Sequence, residues 1–260
     1  MTNQILITGG TGSLGQQVSR LLMECGYNTT ILSTRDKPGI RYFNSIKKGN
    51  LNDPESLDRA LNGIDTIIHC ASNSGDYIMT DIEGTVNLLK AAVREDIRHL
   101  IYISIAGVDK SQFPYYKAKL KAEQFIMKSV TPWSVIRATQ FHDFVLNRLI
   151  KVFDKGRGSI LTIPSGMRFQ SIDAGEVAEK IVNRFKSGPS FKTEITGGPM
   201  IMEFEKMTRV YLDKLGRDDK IQIMDFDNDL YRLFSSGVNL CPEFNAGKRT
   251  WEEYLNRKTS

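Results

Sequence analysis

Three cysteines, three histidines and the lack of any long apolar run set the first limits on this 260-residue chain. Cys25, Cys70 and Cys241 are odd in number and scattered, so they suggest neither a disulfide framework nor a metal spacing. No histidine stands at ligand spacing from a cysteine or an aspartate, so no metal site is expected. No stretch approaches the roughly 18–20 apolar residues of a membrane span, so no membrane association is expected. Met1-Thr2-Asn3-Gln4 has no basic start and Ile5-Leu6-Ile7 is too short for a leader core. The expectation is a protein without a signal peptide, in the cytoplasm. There is no Gly-x-Ser-x-Gly elbow, no repeat and no low-complexity tract. Charge of one sign is not in excess: 35 Lys and Arg stand against 30 Asp and Glu, net +5, without a basic run. Nucleic acid is therefore not an expected partner.

What is present is alternation. Ile5-Leu6-Ile7-Thr8 reads as a buried strand and Leu14 to Cys25 as an amphipathic helix. Strands follow at 29–32, around 44–48, and at 65–70, 99–104 and 133–137. Helices are expected from Pro54 to Leu61 with Asp53 as N-cap, from Asp81 (as cap) through Val93, and from Tyr116 to Lys128. This rhythm predicts an α/β fold: a Rossmann doubly wound parallel sheet with helices on both faces. After Gln140 the rhythm loosens. A helix over 144–153, a strand over 169–172, a helix capped by Asp173, a chain break over 186–190, a helix from Met202 to Leu215 and a last helix near Trp251 are expected. The expected division is a dinucleotide domain over 1–155 and a small C-terminal α+β substrate lobe over 156–260. The two interleave, with helix 174–186 packing back on the first.

Thr8-Gly9-Gly10-Thr11-Gly12-Ser13-Leu14-Gly15 lies directly between a strand and an amphipathic helix. It fits both Gly10-x-Gly12-x-x-Gly15 and Gly9-x-x-Gly12-x-x-Gly15. Small residues are needed where the chain turns tightly, where backbone approaches a pyrophosphate and where helix packs on strand. Gly9, Thr11, Gly12, Ser13, Leu14 and Gly15 are the candidate phosphate cradle, with the helix N-terminus supplying N–H groups. The second strand ends in Ser33-Thr34-Arg35-Asp36, where an NAD-binding site would carry an acid on the ribose hydroxyls. A hydroxyl and a guanidinium suit a 2′-phosphate, so NADP(H) is expected over NAD(H). Asp36 either pairs with Arg35 or opposes that phosphate.

Tyr115-x-x-x-Lys119 puts a phenol and an ammonium one helical turn apart. A lysine charge there is expected to lower the phenol's pKa toward neutrality, making Tyr115 a general acid or base. The same lysine can hold the nicotinamide ribose.

These motifs, with Asn87 and Ser104 and with the whole of Tyr115-x-x-x-Lys119-x-x-x-Glu123, resemble the short-chain dehydrogenase/reductase superfamily, nearest its NmrA-like atypical and extended branch. Tyr102 to Gly107, Arg137 to Asp143 and Gly247 to Leu255 extend the resemblance over nearly the whole chain. It implies a nicotinamide cofactor, Asn50 and Leu51 beside the adenine, and Cys70, Ala71 and Ser72 where the fourth strand passes the ribose. It implies Tyr115 as acid/base, Lys119 on the nicotinamide ribose and Ser104 as a helper.

One position departs from the pattern. Ile105 stands where the extended members carry a second Ser or Thr, and neighbours on a strand face opposite ways, which puts the reach of Ser104 in question. Gln140 and His142, after the sixth strand, are candidate pocket residues, His142 alternatively a histidine tied into a helix start. Two functions are expected. The first is an NADP(H)-dependent oxidoreductase acting on a small carbonyl, alcohol or quinone-like molecule. The second is a non-catalytic dinucleotide-binding redox sensor. Oligomeric state is not encoded in any pattern.

Overall fold

Ile5, Leu6 and Ile7 are all shut off from solvent, which places β1 (Gln4–Thr8) inside a sheet covered on both faces. Each such aliphatic side chain contributes about 1.5–3 kcal/mol when buried. In the computed structural model, which describes residues 4–36, 39 and 41–259, β1 is followed by α1 (Ser13–Glu24) and β2 (Asn28–Ser33). Then come β3 (Ser45–Lys48), α2 (Pro54–Leu61) and β4 (Thr66–His69). A π-helical turn, Ile78–Glu83, leads into α3 (Gly84–Arg94). β5 (His99–Ile105), α4 (Pro114–Met127) and β6 (Trp133–Ala138) complete the alternation. The leader reading at Met1–Asn3 lies outside the described residues.

Beyond β6 the chain forms α5 (His142–Phe144), a π-helical run Val145–Ile150 and α6 (Lys151–Phe153). β7 (Leu161–Pro164), β8 (Arg168–Phe169), α7 (Ala174–Ser187), β9 (Thr193–Thr196) and β10 (Met202–Glu203) follow. The chain ends with α8 (Phe204–Lys214), β11 (Ile221–Met224), α9 (Asp229–Ser236) and α10 (Trp251–Thr259). The main sheet has seven strands in the order β3-β2-β1-β4-β5-β6-β9. β1 pairs parallel with β2 and β4, β2 with β3, and β4 with β5. The order turns outward from β1 in both directions, which is the doubly wound arrangement with its crevice at the carboxyl ends of β1 and β4.

Several elements differ from expectation. The strand expected over 169–172 shrinks to β8, whose partner β10 takes Met202 and Glu203 from the start of the expected helix. β7, β11 and α9 have no counterpart in the sequence reading. β7 and β11 pair with each other across some sixty residues, a pairing no local pattern announces. Asp53 caps α2 as expected, its carboxylate accepting from Ser56 N–H at 3.2 Å. Asp173 accepts from Gly175 N–H at 2.7 Å at the start of α7.

By contact density the chain divides into two units. One takes the described residues of Met1–Ser104, Pro114–Arg137 and Val177–Glu194; the other takes Ile105–Phe113, Ala138–Glu176 and the described part of Ile195–Ser260. In the first, Leu6, Leu57, Ile67, Leu88, Leu100 and Ile126 are among the fully buried side chains of one core cluster. The Arg137–Glu123 pair is buried there as a two-pronged bridge at 2.9 and 2.7 Å. In the second, Phe169 packs against Phe234 and Phe204 with ring centroids 4.7 and 5.8 Å apart, and Trp251 donates from Nε1 to Met207 O. Arg217 ties Asp154 and Asp219 together in that unit. Among the described residues no helix is long and apolar enough to cross a membrane, and no group of three or more His, Cys, Asp or Glu side chains is placed to hold a metal.

Candidate functional site

The glycine loop closes the carboxyl end of β1 on itself. Gly9 has φ +67°, and a Cβ there would lie 2.6 Å from Ala71 N, so only glycine fits. A Cβ on Gly15 would lie 2.4 Å from Gly9 O, which brings helix α1 directly against the turn. Gly12 is different. A Cβ there would meet only Gly9 O, at 3.3 Å, and the residue is exposed as the N-cap of α1. No side chain caps α1, and no acid stands in its first turn. The N-terminus therefore keeps its positive end for an outside anion.

Beside this loop lies a cleft of about 310 Å³ lined by Thr8, Gly9, Thr11, Leu32 to Arg35, Gly49 to Asn52, Ala71 and Thr80. It brings together, from four separate segments, the expected Gly9, Thr11, Ser33, Thr34, Arg35, Asn50, Leu51 and Ala71. Thr8, Leu32, Gly49, Asn52 and Thr80 were not among the expected cofactor residues. The shape and lining fit the adenosine half of a dinucleotide: an apolar wall at Leu32 and Leu51, and polar ends at Ser33–Arg35 and Asn50–Asn52. Two details add to the picture at the Ser33–Asp36 end. The Ser33 hydroxyl donates to Arg35 O at 2.9 Å and accepts from Arg35 N–H at 3.0 Å, so it shapes the loop. Asp36 pairs with Lys48 at 3.2 Å, which leaves the Arg35 guanidinium without a partner among the described residues.

Ala71 and Thr80 are chain neighbours of Ser72 and Asp81, and these two lead into a second cluster. Asp81 was expected as a helix cap. It is instead fully buried in the π-helical turn. Its Oδ1 accepts from Ser72 Oγ at 2.6 Å and lies 3.5 Å from Lys119 Nζ, while Oδ2 accepts from Asn73 N–H at 3.1 Å. Thr85 Oγ1 donates to Asp81 O at 2.7 Å, and His69 reaches both Thr85 and Thr8. Because the Thr85 hydrogen is used on Asp81 O, His69 donates from Nε2 and accepts at Nδ1. Burial holds His69 neutral, its pKa down to about 3. Cys70 is likewise a neutral thiol, pushed up to about 12 by burial.

Lys119, 3% exposed, donates to Ile103 O at 2.8 Å and sits 4.3 Å from the centre of the Tyr102 ring. Burial lowers its pKa, against the pull of Asp81. The Tyr115 Oη lies 2.7 Å from Ser72 Oγ. The expected lowering of the Tyr115 phenol is reversed: burial first, and the Asp81 charge second, push it up to about 12. The lysine charge is matched by Asp81, so it does not act on the phenol alone.

The remaining expected residues lie elsewhere. Leu14 is buried as the first apolar contact of α1, and Ser13 begins that helix. Asn87 donates to Leu51 O at 3.1 Å and so holds a wall of the cleft. Ser104 is buried, and its Oγ has no hydrogen-bond partner among the described residues. Gln140 and His142 belong to the second unit. Gln140 accepts from Asn239 at 3.2 Å. His142 is buried against Trp251 and Tyr254, with Nδ1 on Ser171 Oγ at 2.8 Å and Nε2 on Arg249 O at 3.1 Å. With both nitrogens occupied, His142 is a packing residue of that unit. Asp81 was the site residue that sequence reasoning missed. Its spacing from Lys119 and Tyr115 obeys no local rule, and only the crossover from β4 brings it under α4.

Comparison with known proteins gives the same architecture. The chain is 27% identical over 146 residues to the photosystem II assembly factor Ycf39 of a Synechocystis species, covering 53% of this chain and 45% of that protein. It is 22% identical over 227 residues to the (4-alkanoyl-5-oxo-2,5-dihydrofuran-3-yl)methyl phosphate reductase of Streptomyces griseus, covering 86% of this chain and 78% of that one. The matches span only 36–48% of the length of the first curated relatives. Among solved structures, an NADPH-dependent quinone oxidoreductase of Escherichia coli in complex with NADPH superposes with a TM-score of 0.79 at 15% identity, over 98% of this chain and all of that one, a likeness of fold. The model of the NAD(P)H-binding family matches residues 9–183, from the glycine loop through the Tyr115–Lys119 helix and into α7, and the chain belongs to that family of atypical short-chain dehydrogenases/reductases.

Proposed function

We propose that this chain is an NADP(H)-dependent oxidoreductase that reduces a small carbonyl or quinone-like molecule, with Tyr115 as the proton donor. The observation that carries this reading is the Tyr115 phenol, bonded to Ser72 at 2.7 Å, pushed up by burial and by the Asp81 charge, and one helical turn before Lys119 on α4. Ser72 directly follows Ala71, which lines the cleft beside the glycine loop. Bound dinucleotide supplies hydride to the substrate carbon. The uncapped start of α1 and the Gly9–Gly15 loop would hold its pyrophosphate, and Leu32, Asn50 and Leu51 its adenosine. Arg35, free of Asp36, supports a 2′-phosphate at the far end of that cleft. Lys119 would orient the ribose, and the unpartnered Ser104 hydroxyl supplies a second donor near the end of β5.

The test is consumption of NADPH against a panel of aldehydes, ketones and quinones, with Tyr115→Phe as control. Turnover should fall by about 10²–10⁴-fold in that variant with dinucleotide Kd unchanged. Undiminished turnover would remove Tyr115 from the mechanism. Calorimetry with Arg35→Ala should weaken NADPH about tenfold or more while NADH is unaffected.

A second reading rests on Ile105, which occupies the place of a second Ser or Thr, and on the relative described as an assembly factor. It is a dinucleotide-dependent regulator without turnover. It requires unequal affinity for reduced and oxidised dinucleotide, because only differential binding shifts a conformational equilibrium. Equal Kd values for NADPH and NADP⁺ would exclude it as a redox sensor.

A further inference from the structure

Resting on the reductase reading, we propose that Asp81 is a positioning residue of this site: through Ser72 it keeps the Tyr115 phenol protonated and in one orientation, which commits Tyr115 to acting as an acid.

The direction of the hydrogen bonds follows from counting hydrogens. Ser72 has one hydroxyl hydrogen, and it lies on the acceptor-only carboxylate of Asp81 at 2.6 Å. The 2.7 Å contact between Ser72 and Tyr115 then has only one donor left, the phenol. A phenolate at Tyr115 would face the lone pairs of Ser72 and, behind them, the Asp81 charge. Ionisation of Tyr115 therefore costs either that repulsion or the Ser72–Asp81 bond. Asp81 itself is pinned on three sides, by Asn73 N–H, by Lys119 and through its carbonyl by Thr85.

The other groups around the phenol do not offset this. Tyr77 and Tyr116 present rings at 6.4 and 6.5 Å between centroids. Cys70 after β4 and Tyr102 of β5 are buried and held neutral. Glu123, further along α4, is bridged to Arg137. Lys119, from the same helix as Tyr115, has its charge opposed by Asp81 and its ammonium on Ile103 O. Asp81 is thus the group that decides whether Lys119 acts on the phenol.

In the proton step the Tyr115 O–H bond breaks and its electron pair stays on the phenol oxygen. The new O–H bond forms on the substrate oxygen, whose pair comes from the carbonyl π bond; the hydride that carbon takes up in exchange would be supplied by a bound reduced dinucleotide. Ser72 is exposed, so water can return a proton to Tyr115 afterwards.

The experiment is a pH titration of the ligand-free protein labelled with ¹³Cζ-tyrosine, the Tyr115 signal being assigned by its loss in Tyr115→Phe. Tyr115 of the wild type should ionise well above the range of an unburied phenol. Asp81→Asn should bring that titration down by about one pH unit or more, and Ser72→Ala should shift it in the same direction. Ser72→Thr, which keeps the hydroxyl, should restore the wild-type value. An unchanged Tyr115 titration in a folded Asp81→Asn variant overturns the proposal. If that variant does not fold, an unchanged titration in Ser72→Ala overturns it equally. The readout needs no substrate: a shifted titration in a protein that turns over nothing refutes the reductase reading and leaves the Asp81–Ser72–Tyr115 assignment standing.

Discussion

Tyr115 and Lys119 show how far a motif carries. Their spacing places them on one helix face, as the sequence reading holds. The electrical state of the pair, however, is set by burial first and then by the charge of Asp81, thirty-four positions before Tyr115. Below its folded pKa of about 12 the phenol carries a proton, so the acid form persists across the neutral and alkaline range. Reductive kcat should therefore stay level on the alkaline side to about pH 10, while the reverse oxidation, which needs the phenolate, should rise with pH. Paired kcat profiles in the two directions check this. A reductive rate falling away near pH 8 would mean a lowered phenol and an active Lys119 charge. Ser33 and Asp36 carry the same lesson at the cofactor end, since one shapes its own loop and the other turns to Lys48.

At the scale of elements, the glycine loop and the start of α1 separate two roles that one motif hides. Gly9→Ala and Gly15→Ala put a Cβ into backbone at 2.6 and 2.4 Å, so both should destabilise the fold and lose dinucleotide together. Gly12→Ala meets backbone only at 3.3 Å and should stay folded with near wild-type Tm. Its dinucleotide affinity should nonetheless fall, because the added methyl stands where phosphate reaches the N–H groups of α1. Thermal melts beside calorimetry distinguish the two classes. A Gly12→Ala variant that binds as wild type would place the phosphates elsewhere. Elements with a strong local period were legible: β1, α1, β2, and α2 with its Asp53 cap. The pairs β7·β11 and β8·β10 were not, because strands of two to four residues have no period of their own and exist only through the partner they meet.

For the whole molecule, all three histidines are buried and held neutral by desolvation, His69 to about 3 and His99 to about 4, with His142 also lowered. An unfolded chain binds protons there below pH ~6.5 and the fold does not, so stability is full above that pH and falls as pH drops toward 4. His69 and His99, kept neutral at pH 5, each cost on the order of 2 kcal/mol relative to pH 7, His142 adds in the same direction, and urea unfolding at both values measures the sum. The reverse holds for binding: dinucleotide at about a hundred times its Kd should stabilise by about 2.7 kcal/mol. That raises Tm by several degrees, and at equal concentrations NADPH should raise it more than NADH if Arg35 reads the phosphate.

The sequence by itself determined the strand–helix alternation that implies a doubly wound sheet, the glycine loop and the Tyr115–Lys119 helix, because each is announced by a pattern within a few residues: a buried run, a strand-to-helix turn, one helical turn of spacing. Tertiary structure alone decided that Asp81 faces Lys119, that Ser72 joins it to Tyr115, that Asp36 turns to Lys48, and that His142 is packed away between Ser171 and Arg249. Those are contacts across crossovers, and the charge state of a buried group depends on every neighbour that displaces water from it.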